Sequence, residues 1–162
     1  VGKPDASTKV AEDFICKLTE ICPVYYANGN HEQRMKIYPE KFGTKYQEYK
    51  TSVEQSGVQF LENKHIDLML DACPIQIHGL EIPREGYKKF RKTNVSLEQV
   101  EERIGKADSS KYQILLAHNP IYADTYLEWG ADLILSGHLH GGIVRIPGLG
   151  GVVSPHGNLF PK

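Results

Sequence analysis

The sequence predicts an α/β fold, a sandwich with a mostly parallel strand layer. Three observations carry that expectation: apolar stripes at helical spacing, short runs rich in β-branched and aromatic residues, and the alternation of the two along the chain. Val10, Ala11, Phe14, Ile15, Leu18 and Ile21 recur at helical spacing, with Asp5 or Ser7 as cap and Pro23 as stop. Val24–Ala27 reads as a strand. Phe42, Tyr46, Tyr49 and Val53 form a second helical stripe, ended by Gly57, and Val58–Leu61 reads as a strand. Ile66–Leu70 and Ile75–Leu80 are strands on either side of a turn near Asp71–Pro74.

Arg84–Lys92 is basic and polar and reads as a solvated loop or short helix. Ser96 and Gln99 have the spacing of a capping box, and Leu97, Val100 and Ile104 continue that helix. Tyr112–Ala117 is a strand, Ile121–Trp129 a helix stopped by Gly130, and Asp132–Ser136 a buried strand. Pro147–Gly151 is glycine-rich and reads as a turn.

A length of 162 residues suffices for one domain with its own core. Charged residues make up 24% and the formal net charge is −1, so composition points away from a nucleic-acid or polyanion partner. No apolar run reaches the roughly 20 residues of a membrane helix. Cys16, Cys22 and Cys73 lack the spacing of a zinc knuckle or redox pair and read as buried thiols.

Chemistry concentrates at three places, each following a short apolar run: Gly29-Asn30-His31-Glu32, Ala117-His118-Asn119-Pro120 and Ser136-Gly137-His138-Leu139-His140-Gly141-Gly142. In parallel α/β sheets, ligand-binding residues gather at the carboxyl ends of strands. Asn30, His31, His118, His138 and His140 can therefore converge despite their separation. In an extended segment His138 and His140 point the same way, because the side-chain period is two. They then share one metal, or serve two if the turn splays them. Imidazole with an amide oxygen suits manganese, iron or zinc. A histidine beside such metals, unbound, can protonate a leaving oxygen. His65, His78 and His156 lack this setting and are set aside, His78 to the polar face of its strand. No nucleophilic Ser or Cys motif is present.

At these residues the chain resembles the calcineurin-like metallophosphoesterases. Gly29-Asn30-His31-Glu32 matches that family's Gly-Asn-His-Asp/Glu motif, His118 its lone histidine, and Gly137-His138-Leu139-His140 its Gly-His-x-His motif. The run from Gly141 to Pro147 is similar to a bacterial branch that includes secreted or membrane-anchored phosphoesterases. The resemblance implies a four-layer α/β/β/α sandwich and hydrolysis of phosphomonoesters or phosphodiesters by metal-activated water. It implies two divalent transition metals (Mn, Fe or Zn). Asn30, His118 and His138 would bind one metal and His140 the other, with His31 beside the leaving group.

The family's opening Asp-x-His and Gly-Asp motifs have no counterpart here, and the chain begins at Val1. The expectation is one partial domain over residues 1–162, an internal fragment lacking N- and C-terminal strands, holding at most one metal and poorly active alone. Two other readings stand beside it: a scaffold that has lost catalysis, and a mononuclear zinc hydrolase using His118, His138 and His140. Localisation is open between cytoplasmic and membrane-anchored or extracytoplasmic.

Overall fold

The computed structural model describes residues 7–87, 94–139, 144–146 and 150–153, the last two segments as backbone only. Helix α1 (Lys9–Thr19) leads to strand β1 (Tyr25–Tyr26), followed by α2 (Asn30–Ile37), α3 (Pro39–Phe42) and α4 (Lys45–Gln55). Then come β2 (Gln59–Phe60), β3 (Lys64–Leu70), β4 (Cys73–Leu80), a 3-10 turn at Arg84–Tyr87 and α5 (Leu97–Ile104). Strand β5 (Tyr112–Ala117), a 3-10 turn at Pro120–Tyr122, α6 (Ala123–Trp129), β6 (Leu133–Leu135), β7 (Val144–Ile146) and β8 (Gly150–Val153) complete the order.

The chain is mixed α/β, as predicted. Strands β1 and β2 pair in parallel. The larger sheet runs β3-β4-β5-β6, antiparallel only between β3 and β4. Leu70 pairs with Cys73, so the β3–β4 turn is Asp71-Ala72, with Asp71 in a left-handed conformation at φ 46°. Strands β7 and β8 pair antiparallel, and predicted turn residues 147–149 between them lie outside the described set.

Each of the first two sheets has its own helical cover. Ile15 of α1 and Tyr49 and Val53 of α4 pack on Val58 and Phe60. Val100 and Ile104 of α5, with Tyr126 and Trp129 of α6, pack on Leu80 and Leu115. Two helical covers, each on its own sheet, fit the expected α/β/β/α order. Among the described residues, no helix is long and apolar enough to cross a membrane.

The local signals for α5 hold in detail. Ser96 Oγ accepts from the Gln99 N–H, and Gln99 Oε1 accepts from the Ser96 N–H. Two of the four unpaired donors at the helix start are thereby satisfied. Helix α1 departs from its prediction. It ends at Thr19, and Val10, Phe14 and Ile21 are exposed. A two-stranded sheet is about 5 Å from strand to strand, so it covers only part of so wide a stripe.

Asn30–Ile37, which the sequence left unassigned, is helical. Three further expectations need correction. Strand β6 is not buried, with Leu133 at 40% and Leu135 at 50% exposure, and among the described residues it is the edge of its sheet. Cys22 and Cys73 are exposed and Cys16 is half-buried, since none lies under a second layer. The polar face of β4 that carries His78 is itself buried, and His78 is 1% exposed.

His78 sits under Trp129, with its ring edge-on at 4.8 Å, and faces His65 across the β3–β4 pair at 5.0 Å. Its Nε2 lies 3.0 Å from Gln76 Oε1 and 2.9 Å from Gln113 Oε1. Two oxygen acceptors require Nε2 to carry the hydrogen, leaving Nδ1 bare. That atom is buried without a hydrogen-bond partner among the described residues. Burial pushes the imidazole down to about 4; the Gln113 hydrogen bond acts against this, and His65 adds to the lowering.

The close approach of the two sheets is set by one residue. A Cβ on Gly79 of β4 would lie 2.6 Å from Leu61 Cβ and nearer still to the Leu61 carbonyl oxygen. Backbone cannot yield as a side-chain tip can. Gly79→Ala is expected to destabilise the fold by about 1–3 kcal/mol, measured by urea denaturation. His78 generates a second expectation. Its folded-state value lies below the ordinary 6.5, so the unfolded chain binds the proton more readily between pH 6.5 and 4. The stability it contributes is full above pH 6.5 and is lost as pH falls towards 4, by up to ~3 kcal/mol. Melting temperatures across that range should fall with pH, and His78→Gln should flatten the dependence.

Candidate functional site

Three strand ends build the site. Strand β1 runs through Ala27, Asn28 and Gly29 into Asn30, the first residue of α2. Strand β5 ends at Ala117, one residue before His118, and β6 ends at Leu135, three before His138. Because β5 and β6 are parallel, with Leu116 opposite Leu135, the chain leaves both in the same direction. Two hydrogen bonds tie these exits together. Ser136 Oγ donates to the Ala117 carbonyl at 2.6 Å, and the Gly137 N–H donates to the His118 carbonyl at 3.1 Å. This is the carboxyl edge at which parallel sheets place ligands.

Asn30, His118 and His138 meet there. His118 Nε2 is 3.0 Å from Asn30 Oδ1, across 88 positions of sequence. The His118 and His138 rings stand edge to face, with centroids 5.4 Å apart. The His118 imidazole is seated between two glycines. A Cβ on Gly29 would lie 3.1 Å from its Cε1, and a Cβ on Gly137 would lie 3.0 Å from its Nδ1. Any side chain at either position would crowd the ring. Gly29 is fixed in turn by its own N–H, which donates to Glu32 Oε2 at 3.1 Å.

His138 is not in the extended segment that the His-x-His reading assumed. Its φ is 64°, and the Leu139 N–H donates to the Gly137 carbonyl at 2.7 Å, closing a three-residue turn around it. A residue other than glycine in this conformation stores about 1–3 kcal/mol of strain. The period-two argument for His138 and His140 therefore does not apply. His140 and His156 lie outside the described residues. His31 is exposed in the first turn of α2, next to Asn30. Successive helical residues diverge by about 100°, so Asn30 and His31 present different faces.

The donor chemistry fits a cation. Ligands at about 2.1 Å from one metal and at right angles to each other stand about 3 Å apart, and Asn30 Oδ1 and His118 Nε2 have that separation. Among the described residues, no three His, Cys, Asp or Glu side chains gather as a metal-binding group. What gathers here instead is two imidazoles and the Asn30 amide oxygen.

Sequence reading missed Tyr87. Its ring lies 5.5 Å from that of His138 and 6.2 Å from that of His118, forming a wall against both imidazoles. The preceding Gly86 carbonyl accepts from Asn119 Nδ2 at 3.0 Å and from the Tyr122 hydroxyl at 3.1 Å. Asn119, directly after His118, is fully buried, and its Oδ1 accepts from the Ile121 N–H. The residue beside the ligand candidate thus anchors the turn that brings in Tyr87. The only sequence signal was an aromatic within a basic stretch, which periodicity reads as surface. Residues 88–92 of that stretch lie outside the described set.

The calcineurin-like phosphoesterase family profile matches residues 2–142. YkoQ of Bacillus subtilis, described as an uncharacterized metallophosphoesterase, is 26% identical over 131 residues, covering 81% of this chain and 42% of its own length. The uncharacterized YpbG of the same organism is 36% identical over 81 residues, 49% of this chain and 30% of its own. F40B5.2 of Caenorhabditis elegans, which carries the provisional name of a metallophosphoesterase, is 30% identical over 142 residues, 82% of this chain and 26% of its own. The chain thus spans between 26% and 42% of the length of these relatives. No solved structure matches. With the profile reaching from Gly2 to Gly142, across all three strand-end motifs, the chain belongs to the calcineurin-like phosphoesterase family.

Proposed function

We propose that the chain supplies part of a metal-dependent phosphoesterase site, in which Asn30, His118 and His138 hold one divalent cation and His140 contributes to a second. The observation that carries this reading is the meeting of Asn30 Oδ1 and His118 Nε2 at 3.0 Å, with the His138 ring against His118. The substrate is a phosphomonoester or phosphodiester, and manganese, iron or zinc suits the imidazole and amide donors. Metals of this kind polarise a phosphoryl oxygen and lower the pKa of bound water.

The chain's own residues do the rest. Asn30 and His118 turn two uncharged groups towards one point, and His118 would bind a cation through Nε2 with its proton on Nδ1. Tyr87 walls the His118 and His138 rings and shields that side from solvent. His31, exposed beside Asn30, is free of the carbonyl contacts that hold the exits of β5 and β6. It gives a proton to the leaving oxygen as the phosphoester bond breaks.

Three outcomes test this. A protein that carries this chain together with the Asp-x-His and Gly-Asp motifs it lacks, assayed with Mn2+ on bis(4-nitrophenyl) phosphate, is expected to release 4-nitrophenolate, chelation should abolish the release, and the chain alone should be poorly active. His31→Gln is expected to lower kcat by about 10²–10⁴ while cobalt binding, followed by visible absorption, stays intact. His118→Ala should lose the cobalt band. Gly137→Ala, which pushes on the same ring without removing a donor, should weaken cobalt binding by about tenfold, the scale of a displaced supporting contact. Wild-type protein with neither hydrolysis nor a cobalt band would refute the reading.

A further inference from the structure

Just upstream of Asn30 lies a buried polar cluster that the proposed reaction does not use. Asn28 is 2% exposed, and its side-chain Nδ2 reaches three acceptors: Glu81 Oε1 at 2.6 Å, the Tyr46 hydroxyl oxygen at 2.8 Å and Glu62 Oε1 at 3.2 Å. The Tyr46 hydroxyl donates onward to Glu62. Lys36 Nζ pairs with Glu81 Oε2 at 2.8 Å and Glu62 Oε1 at 2.9 Å, and Lys50 pairs with Glu62 Oε2. Two carboxylates and two ammonium groups balance in the cluster, the condition under which ions tolerate burial, and Lys50 also reaches the exposed Glu54 at 3.8 Å. Its members come from α2, α4, the β2–β3 connection and the end of β4. Tyr46, Glu62 and Glu81 converge on one amide, two residues before Asn30, and Lys36 and Lys50 hold the carboxylates from behind.

We propose that Asn28 is a positioning residue, through which the Glu62–Glu81–Lys36–Lys50 cluster fixes the backbone that carries Asn30 and His31 into the site. This inference rests on the metal reading above only for its effect on cation binding. Asn28 Oδ1 is buried and has no hydrogen-bond partner among the described residues. The side chain is therefore held by its donor half alone, and the acceptors it meets are two carboxylates and a phenol oxygen. Asn28→Asp keeps the shape but sets a third carboxylate against the other two, turning attraction into repulsion. A shift there has little slack to disperse in. Gly29 is pinned by Glu32 and seated against the His118 ring, so displacement passes to Asn30.

The test uses cobalt(II) titration by visible absorption, the Asn30 side-chain amide resonance of the metal-free protein, and melting temperature. Asn28→Asp is expected to weaken cobalt binding by about tenfold or more and to move the Asn30 resonance. Val53→Ala, in the core of α4 and outside the cluster, should lower the melting temperature while leaving both other readouts in place. Glu81→Gln keeps an oxygen acceptor for Asn28 and should retain binding, whereas Glu81→Leu should lose it. That pair decides the matter if Asn28→Asp fails to fold. The proposal is overturned if Asn28→Asp lowers melting temperature alone, as Val53→Ala does, or if Glu81→Gln and Glu81→Leu bind cobalt equally. Wild-type protein without a cobalt band would sink the metal reading. The Asn30 resonance would then decide alone, with movement in Asn28→Asp supporting positioning and its absence refuting it.

Discussion

The site depends on how closely two backbones approach the His118 imidazole. Gly29 enters from the end of β1 and Gly137 from the end of β6, both so close to the ring that a Cβ on either would force it to shift by a few tenths of an ångström. That closeness brings Asn30 within hydrogen-bonding distance of His118 and sets the His138 ring against it. Closed interiors do not adjust continuously, so a histidine held this way has one orientation. The strain at His138 belongs to the same arrangement. A γ-turn folds the chain back just after Gly137, and the parallel pairing of β5 and β6, locked by Ser136 and Gly137, keeps it folded.

Around this point the protein buries polar groups in two different ways. The cluster on Asn28 pairs charge with charge. Burial works against the Glu62 carboxylate, yet hydrogen bonds from Lys50, Tyr46 and Lys36 hold it at about 2. On the face of β4 towards α6, His78 instead stays uncharged, hydrogen-bonded to two glutamines and roofed by Trp129. The first solution binds four elements to the loop of the site. The second fills the space between the larger sheet and its helices, away from the carboxyl edge. A charged cluster can be neutralised within itself when partners arrive from several elements, whereas a lone imidazole under a tryptophan is best left neutral.

Much of this was legible in the sequence. The capping box of α5, the run of β5, the helix ended by Gly130 and the strand-then-ligand pattern at Asn30, His118 and His138 all follow from local rules, because caps, periodicity and strand ends act within a few residues. Apart from the local turn at His138, what failed needed knowledge of a neighbouring layer. Val10 and Phe14 look like core, yet they are exposed beside a sheet that has two strands among the described residues. His78 looks like surface until α6 places Trp129 over it. Cys22 and Cys73 look like buried thiols until no layer covers them.

By itself the sequence determined the α/β class, the positions of the ligand candidates and their attachment to strand ends. Local backbone preference and motif chemistry suffice for these. Only the tertiary structure decided that Tyr87 walls the two imidazoles, that His138 sits in a turn with positive φ, and that Asn28 gathers an ion cluster behind Asn30. The first and last are contacts between residues far apart in sequence, held in place by packing around a shared space, and the His138 turn, though closed locally, is held by the joined exits of β5 and β6. No local pattern encodes such contacts, because the energy that fixes them arises only when the layers close.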